Sequence, residues 1–337
     1  MADVYFYEAF EEEAAALQRL LPADVAAEYT DRTVQEAAHA APPARLISIR
    51  TQSQLPLGWA GALGGILSRS TGHDHLTAYA TATGAPVALG YLPLYCHRAV
   101  AEQAMLMWMA LLRRLARQVR QFGQFHRDGI TGAECQGRSL AVVGVGHIGG
   151  EVCRIGQALG MRVVGVDRGA QYEDVEYADA ADALPHADVV VCAMDLNASN
   201  RGYFDAARLR QIKRGAIFIN ISRGELSPST VLLEALRSGQ LGGVGLDVYD
   251  HEADLAVALR AGSPSTDAEV QAALELARRD DVICTPHNAF NTIEAVERKS
   301  AHSVQQIAAF LSRGEFRWPA PQPPAPLDIG TRPDIIQ

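Results

Sequence analysis

Three side chains suited to anion and proton chemistry stand just past β-type runs. Arg223 follows residues 217–221 in Asn220-Ile-Ser-Arg-Gly, Glu252 closes Asp247-Val-Tyr-Asp-His-Glu, and His287 follows residues 282–285 in Thr-Pro-His-Asn-Ala-Phe. A guanidinium can fix an anion and polarise a carbonyl, and an imidazolium can protonate the alkoxide that develops as hydride arrives. A carboxylate beside the imidazole favours its charged form, which gives Glu252 a reason to be there. Taken singly, Arg223 could be a surface or capping arginine and His287 a structural histidine. Their order and their matching positions after strands argue for one site, because ligands in an open α/β sheet gather beyond the carboxyl ends of strands.

A hydride needs a carrier. In Leu140-Ala-Val-Val-Gly144-Val-Gly146-His-Ile-Gly149, a β run ends in GxGxxG and an apolar helix begins at once. Gly144 suits a tight turn, Gly146 a close approach of backbone to pyrophosphate, and Gly149 close helix–strand packing, while the helix N-terminus faces the phosphate charge. The next β run ends in Asp167, at the spacing expected of a carboxylate that binds ribose hydroxyls. That charge repels a 2′-phosphate, so the pattern predicts NAD over NADP, with Arg168 beside it as a counterweight. His147 and Ile148 are expected to meet the cofactor through backbone.

These loops need a scaffold. Six apolar runs, starting at residues 140, 162, 188, 216, 243 and 282, alternate with helical stretches as βαβ units require, and their near-continuous apolarity suits strands buried on both faces. The first third repeats the alternation more weakly: β runs at residues 4–7, 45–50 and 65–71, and an acidic helix up to Leu21. The expectation is two α/β domains, each a Rossmann- or flavodoxin-like, doubly wound parallel sheet. A single long helix is expected over residues 98–122, another over 291–313, and an extended surface tail over the Pro-rich residues 318–326.

With 337 residues, 48% of them hydrophobic, the chain can bury two cores. A net charge of −9 leaves no surplus for a phosphate backbone, so nucleic acid is not expected as a partner. Cys96, Cys135, Cys153, Cys192 and Cys284 are scattered without CxxC spacing, which points to reduced thiols rather than disulfides or zinc. His73 and His75 flank Asp74, but no third ligand has convincing spacing, and no metal site is expected. No signal-peptide pattern or long apolar span appears, so a cytoplasmic protein without membrane contact is expected.

Taken in order, Gly-Val-Gly-His-Ile-Gly, Asn-Ile-Ser-Arg-Gly, Gly-Leu-Asp-Val-Tyr-Asp-His-Glu and Thr-Pro-His-Asn-Ala-Phe resemble the motifs of the D-isomer-specific 2-hydroxyacid dehydrogenases, closest to the D-lactate dehydrogenase branch. Arg69-Ser-Thr-Gly-His-Asp-His and Leu92-Pro-Leu-Tyr95 resemble that family's substrate loop and the entry to its crossover helix. The resemblance implies NADH-linked interconversion of a small 2-oxo acid, such as pyruvate, and its D-2-hydroxy acid. By it Arg223 binds the substrate's carboxylate and carbonyl, His287 is the acid/base and Glu252 orients it. Backbone at Thr71 and Gly72, with Tyr95, holds the carboxylate, while Asn200, Ile221, Ser222 and Asp247 line the cofactor cleft. Residues 1–100 and 290–337 become a substrate domain, with an NAD domain, 101–289, inserted between them. A homodimer built on the NAD domain is a further implication.

Asp195 stands where the family usually has proline, Ser227-Pro-Ser departs from its pattern, and residues 253–281 match the branch insertion loosely. The alternatives are a hydroxypyruvate or glyoxylate reductase on the same scaffold, and a dehydrogenase-like co-regulator that senses NAD and recruits protein partners. Formate and phosphite oxidation are disfavoured by Glu252 and Thr71, where those branches carry glutamine and lysine.

Overall fold

The computed structural model describes residues 2–262 and 265–321. Two compact units divide the chain: Met1–Pro93 with Glu297–Gln337, and Leu94–Val296. These boundaries fall a few residues from those drawn from the motifs.

The first unit is built on five parallel strands, β1 (Val4–Phe6), β2 (Ala27–Tyr29), β3 (Leu46–Ile49), β4 (Gly65–Ser68) and β5 (Ala88–Gly90), in the order β2-β1-β3-β4-β5. That is the flavodoxin-like order. Strands β1, β3 and β4 are buried along their whole length, as continuous apolar runs demand. β2 and β5 lie at the sheet edges, where short strands of mixed burial leave little sequence signal.

The second unit holds seven parallel strands. They are β6 (Ser139–Val143), β7 (Arg162–Val166), β8 (Glu176–Tyr177), β9 (Val189–Cys192), β10 (Ala216–Asn220), β11 (Leu241–Leu246) and β12 (Val282–Cys284), ordered β12-β11-β10-β9-β6-β7-β8. All six runs expected from the sequence are strands; β8, a two-residue edge strand, carried no such signal. The order reverses between β6 and β9, a topological switch point where a dinucleotide crevice belongs. Register makes that end of the sheet flush: Cys284, Leu246, Asn220, Cys192, Val143 and Val166 form one row of paired residues. Every loop carrying a candidate site residue of this unit, apart from Tyr95, leaves from that row.

Two expectations need correction. The segment at residues 98–122 is not one helix: helix His97–Leu112 stops, Arg114 turns left-handed at φ 52°, and a second helix runs Leu115–Gln121. The carbonyl of Leu112 is taken by the amide of Ala133, and Gly132 passes so close that a Cβ would lie 2.7 Å from that oxygen. The apolar pattern runs through the break because it reports burial rather than backbone continuity. Secondly, the Pro-rich tail does not simply lie on the surface. Pro319 bridges Gly90 antiparallel, the amide of Ala320 donates to Leu89, and Ala320 is buried. Residues 322–326 of that tail lie outside the described residues. So do Ser263 and Pro264 of the loosely matching segment, which is otherwise two helices, Glu252–Ala261 and Ala268–Leu276.

Candidate active site

The dinucleotide loop follows β6. Gly144 has φ 92°, and a Cβ there would meet the Met194 amide at 2.5 Å; one on Gly149 would lie 2.0 Å from the Gly144 carbonyl. These two glycines are therefore required by the fold itself. Gly146 differs, since nothing lies within 4 Å of where its Cβ would be. Open space over a bare backbone, at the start of helix His147–Ala158, suits a pyrophosphate. His147 is exposed and Ile148 half-buried on that first turn. Asp167, just past β7, is exposed, and its Oδ2 accepts from the amide of Val145 at 2.6 Å while Oδ1 accepts from that of Arg168. The carboxylate thus sits against the dinucleotide loop.

The loop after β9 is stitched by its own side chains. Asn200 donates to the Asp195 carbonyl at 2.7 Å and accepts from the Asn197 amide at 2.8 Å. Its amide is thereby committed to loop shape, and Asp195 is exposed. The Ser222 hydroxyl donates to the Met194 carbonyl, which ties this loop to the one after β10, while Ile221 is buried.

Arg223 leaves β10 on a short loop fixed by Asn220. The Asn220 amide donates to the Arg223 carbonyl at 2.8 Å and to the Ser227 hydroxyl at 2.7 Å. Ser227 is one of the departures from the family pattern, and here it completes that clamp. The Arg223 guanidinium donates to the Ser222 carbonyl at 2.9 Å. At Gly224 a Cβ would fall 1.8 Å from the Tyr249 carbonyl carbon, so the arginine loop lies directly on the segment leading to Glu252.

Glu252 opens the helix Glu252–Ala261, preceded by His251 in the left-handed region. His287 is also left-handed, at φ 50°. Its Nδ1 lies 2.8 Å and 3.1 Å from the two Glu252 oxygens, with both side chains about a quarter exposed. An ionised Glu252 fixes the proton on Nδ1 and leaves Nε2 to give or take one.

Asp247, expected to line the cofactor cleft, is 1% exposed and has both oxygens engaged. Oδ1 accepts from the Thr285 hydroxyl at 2.5 Å and the Asn288 amide at 2.9 Å; Oδ2 accepts from the Ala289 amide at 2.9 Å. Burial raises its carboxyl above the ordinary range against these hydrogen bonds. It grips the turn on which His287 rides. The buried Tyr249 hydroxyl adds a contact to the Thr285 carbonyl at 2.9 Å. Sequence reasoning missed Asn220, Gly224, Ser227 and Tyr249 as supports, although all four fall within or beside the motifs that carry Arg223 and Glu252.

Thr71 and Gly72 belong to the first unit, in the loop after β4, where the Thr71 hydroxyl donates to the Leu92 carbonyl at 3.1 Å. Tyr95 belongs to the second unit, buried and edge-on to Phe290 at 6.4 Å.

Residues 103–289 match the family model described as D-isomer specific 2-hydroxyacid dehydrogenase, NAD binding domain. The chain belongs to this family. As a D-isomer-specific 2-hydroxyacid dehydrogenase it is an NAD-dependent oxidoreductase acting on the CH–OH group of 2-hydroxy acids. It is 33% identical to D-lactate dehydrogenase of Escherichia coli (strain K12) over 230 residues, 66% of this chain and 69% of that one. It is 30% identical to hydroxypyruvate reductase of Thermotoga maritima over 212 residues, 62% and 65% of the two chains. A crystal structure of D-lactate dehydrogenase from Aquifex aeolicus, complexed with NAD and lactic acid, superposes with a TM-score of 0.82 at 27% identity, covering 93% of this chain and 98% of that one. No described helix of this dehydrogenase is long and apolar enough to cross a membrane.

Proposed function

We propose that this dehydrogenase reduces a small 2-oxo acid such as pyruvate to its D-2-hydroxy acid, reversibly, in the manner of a D-lactate dehydrogenase. The observation that carries the reading is the His287–Glu252 pair at 2.8 Å, on loops that leave the same flush edge of the sheet as Arg223 and the dinucleotide loop. NADH supplies the hydride. His287 Nε2 delivers a proton to the carbonyl oxygen, Glu252 holds the imidazole in orientation through Nδ1, and Arg223 binds carboxylate and carbonyl oxygens. Backbone at Thr71 and Gly72, with Tyr95, completes carboxylate recognition. Gly146, with the backbone of His147 and Ile148, holds the pyrophosphate on a loop that Gly144 and Gly149 shape, Asp167 holds the ribose, and Asn200, Ile221 and Ser222 shape the remaining cleft. Asp247 contributes through the His287 turn.

The likeness to a hydroxypyruvate reductase supports a second reading, with hydroxypyruvate or glyoxylate as substrate and the same three residues at work. A cytoplasmic homodimer is part of the proposal. Exposed Leu106, Leu115, Val119, Phe122 and Phe125, gathered on residues 106–125 of the second unit, support self-association. The test is NADH oxidation with glyoxylate, pyruvate, hydroxypyruvate and phenylpyruvate, NADPH in parallel, and chiral analysis of the product. Preference for pyruvate with a D-product upholds the first reading, preference for hydroxypyruvate or glyoxylate selects the second, and L-product overturns both.

A further inference from the structure

The loop that carries Thr71 and Gly72 is held from behind by a chain of groups that the proposed reaction does not use. The Ser70 hydroxyl donates to the Gly72 carbonyl at 2.7 Å, the Ser68 and Ser70 hydroxyls lie 2.6 Å apart, and His75 Nε2 lies 2.9 Å from the Ser68 hydroxyl. Each hydroxyl has a single proton. Because the Ser70 proton goes to Gly72, Ser70 accepts from Ser68, and Ser68 in turn accepts from His75. The direction is therefore fixed from end to end, and His75 carries its proton on Nε2.

On the opposite face of the strand, Arg69 is fully buried. It donates to Glu13 at 2.8 Å, to the Ser48 hydroxyl at 3.0 Å, and to the carbonyls of Tyr7 and Glu8 at 2.7 and 3.1 Å. With Arg69 locked below and the hydroxyl chain above, the end of β4 cannot roll about its axis.

A peptide group is planar, so holding the Gly72 carbonyl also aims the His73 N–H the opposite way. The amides of Gly72 and His73 donate to no acceptor among the described residues. We propose that His75, Ser68 and Ser70 are positioning residues for the substrate carboxylate: their relay presets the Gly72–His73 peptide, and the His73 N–H joins the Gly72 N–H as a carboxylate donor. This rests on the reading of the loop as the carboxylate site.

The experiment compares wild type with Ser70→Ala, His75→Ala and His75→Gln, whose side-chain amide can again donate to Ser68. KM for the preferred 2-oxo acid, kcat, the inhibition constant of oxamate, and NADH affinity by fluorescence are measured together. Loss of one hydrogen bond in the relay is expected to raise KM and the oxamate constant about tenfold in both alanine variants. His75→Gln is expected to recover most of that loss, with kcat and NADH affinity within about twofold of wild type throughout. Unchanged KM in Ser70→Ala, a parallel fall in NADH affinity, or a His75→Gln variant no better than alanine overturns the relay. A wild-type protein that reduces none of the 2-oxo acids overturns the carboxylate reading, and the relay with it.

Discussion

At the scale of single residues, the proposed division of labour separates chemistry from binding. His287→Ala is expected to lower kcat by roughly a hundredfold to ten-thousandfold, the range of a lost general acid, with NADH affinity intact. Arg223→Ala is expected to raise KM as well as lower kcat, since the guanidinium serves both ground state and transition state. Steady-state kinetics with fluorescence titration of NADH check both; unaltered turnover in the two variants removes the assignment. Asp167→Ala is expected to weaken NADH more than NADPH, because the carboxylate favours a ribose hydroxyl and repels a 2′-phosphate. Equal weakening of the two coenzymes, read by the same titration, would contradict this.

At the scale of elements, the loops are precise because strands and glycines leave them no alternative. Gly224→Ala is the sharpest case: its Cβ would have to occupy space held by the Tyr249 and Asp250 backbone. Overpacking of this kind typically costs about 1–3 kcal/mol or more. The variant is expected to show a lowered Tm and a loss of activity out of proportion to it, because the shift falls between Arg223 and Glu252; a thermal melt alongside kinetics checks it. The same elements show what a sequence can and cannot reveal. Strands β6, β7 and β9 to β12 were legible because burial on both faces writes an unbroken apolar run. The candidate site residues stood out as types at strand ends. The edge strands β2, β5 and β8 were not, being short and only partly buried. The break at Arg114 was hidden because its cause, the return of Gly132 and Ala133 against the helix end, lies outside the helical pattern. Asp247 was legible as important, but its engagement with the 285–289 turn is a tertiary fact that no spacing encodes.

At the scale of the whole molecule, the first unit carries a buried charge cluster with consequences for pH. Glu13 accepts from Arg69 and lies 3.0 Å from the Lys299 ammonium, all three nearly inaccessible. Burial alone would raise the Glu13 carboxyl, but the two cations hold it at about 2. Burial pushes the Lys299 ammonium down to about 8 against the pull of Glu13. A depressed carboxyl contributes stability that is complete above the ordinary value of 4.5 and is lost as pH falls towards 2. For Lys299 the sign is opposite: its charge costs stability below about 8, and the cost is relieved as pH rises towards 10.5. Glu13→Gln is therefore expected to lower stability near neutrality by about 3–5 kcal/mol, since two cations stay buried without their anion. It is also expected to flatten the dependence of Tm on pH between 4.5 and 2, which melts at a series of pH values would detect. An unchanged slope there would locate the acid sensitivity elsewhere.

The placement of Lys299 also gives the fold a history. The second unit is one uninterrupted stretch, Leu94–Val296, whereas the first is closed only by residues that follow it. As the chain leaves the ribosome, the sheet of the first unit emerges early yet must wait for the entire nucleotide-binding unit to be made. Only then do Lys299, bringing the second cation to Glu13, and Pro319 and Ala320, docking on β5, arrive. Until that moment β5 is an open edge and the Glu13 cluster is one charge short, so the first unit is most exposed to mispairing before residues 299–320 are made and is protected once they dock.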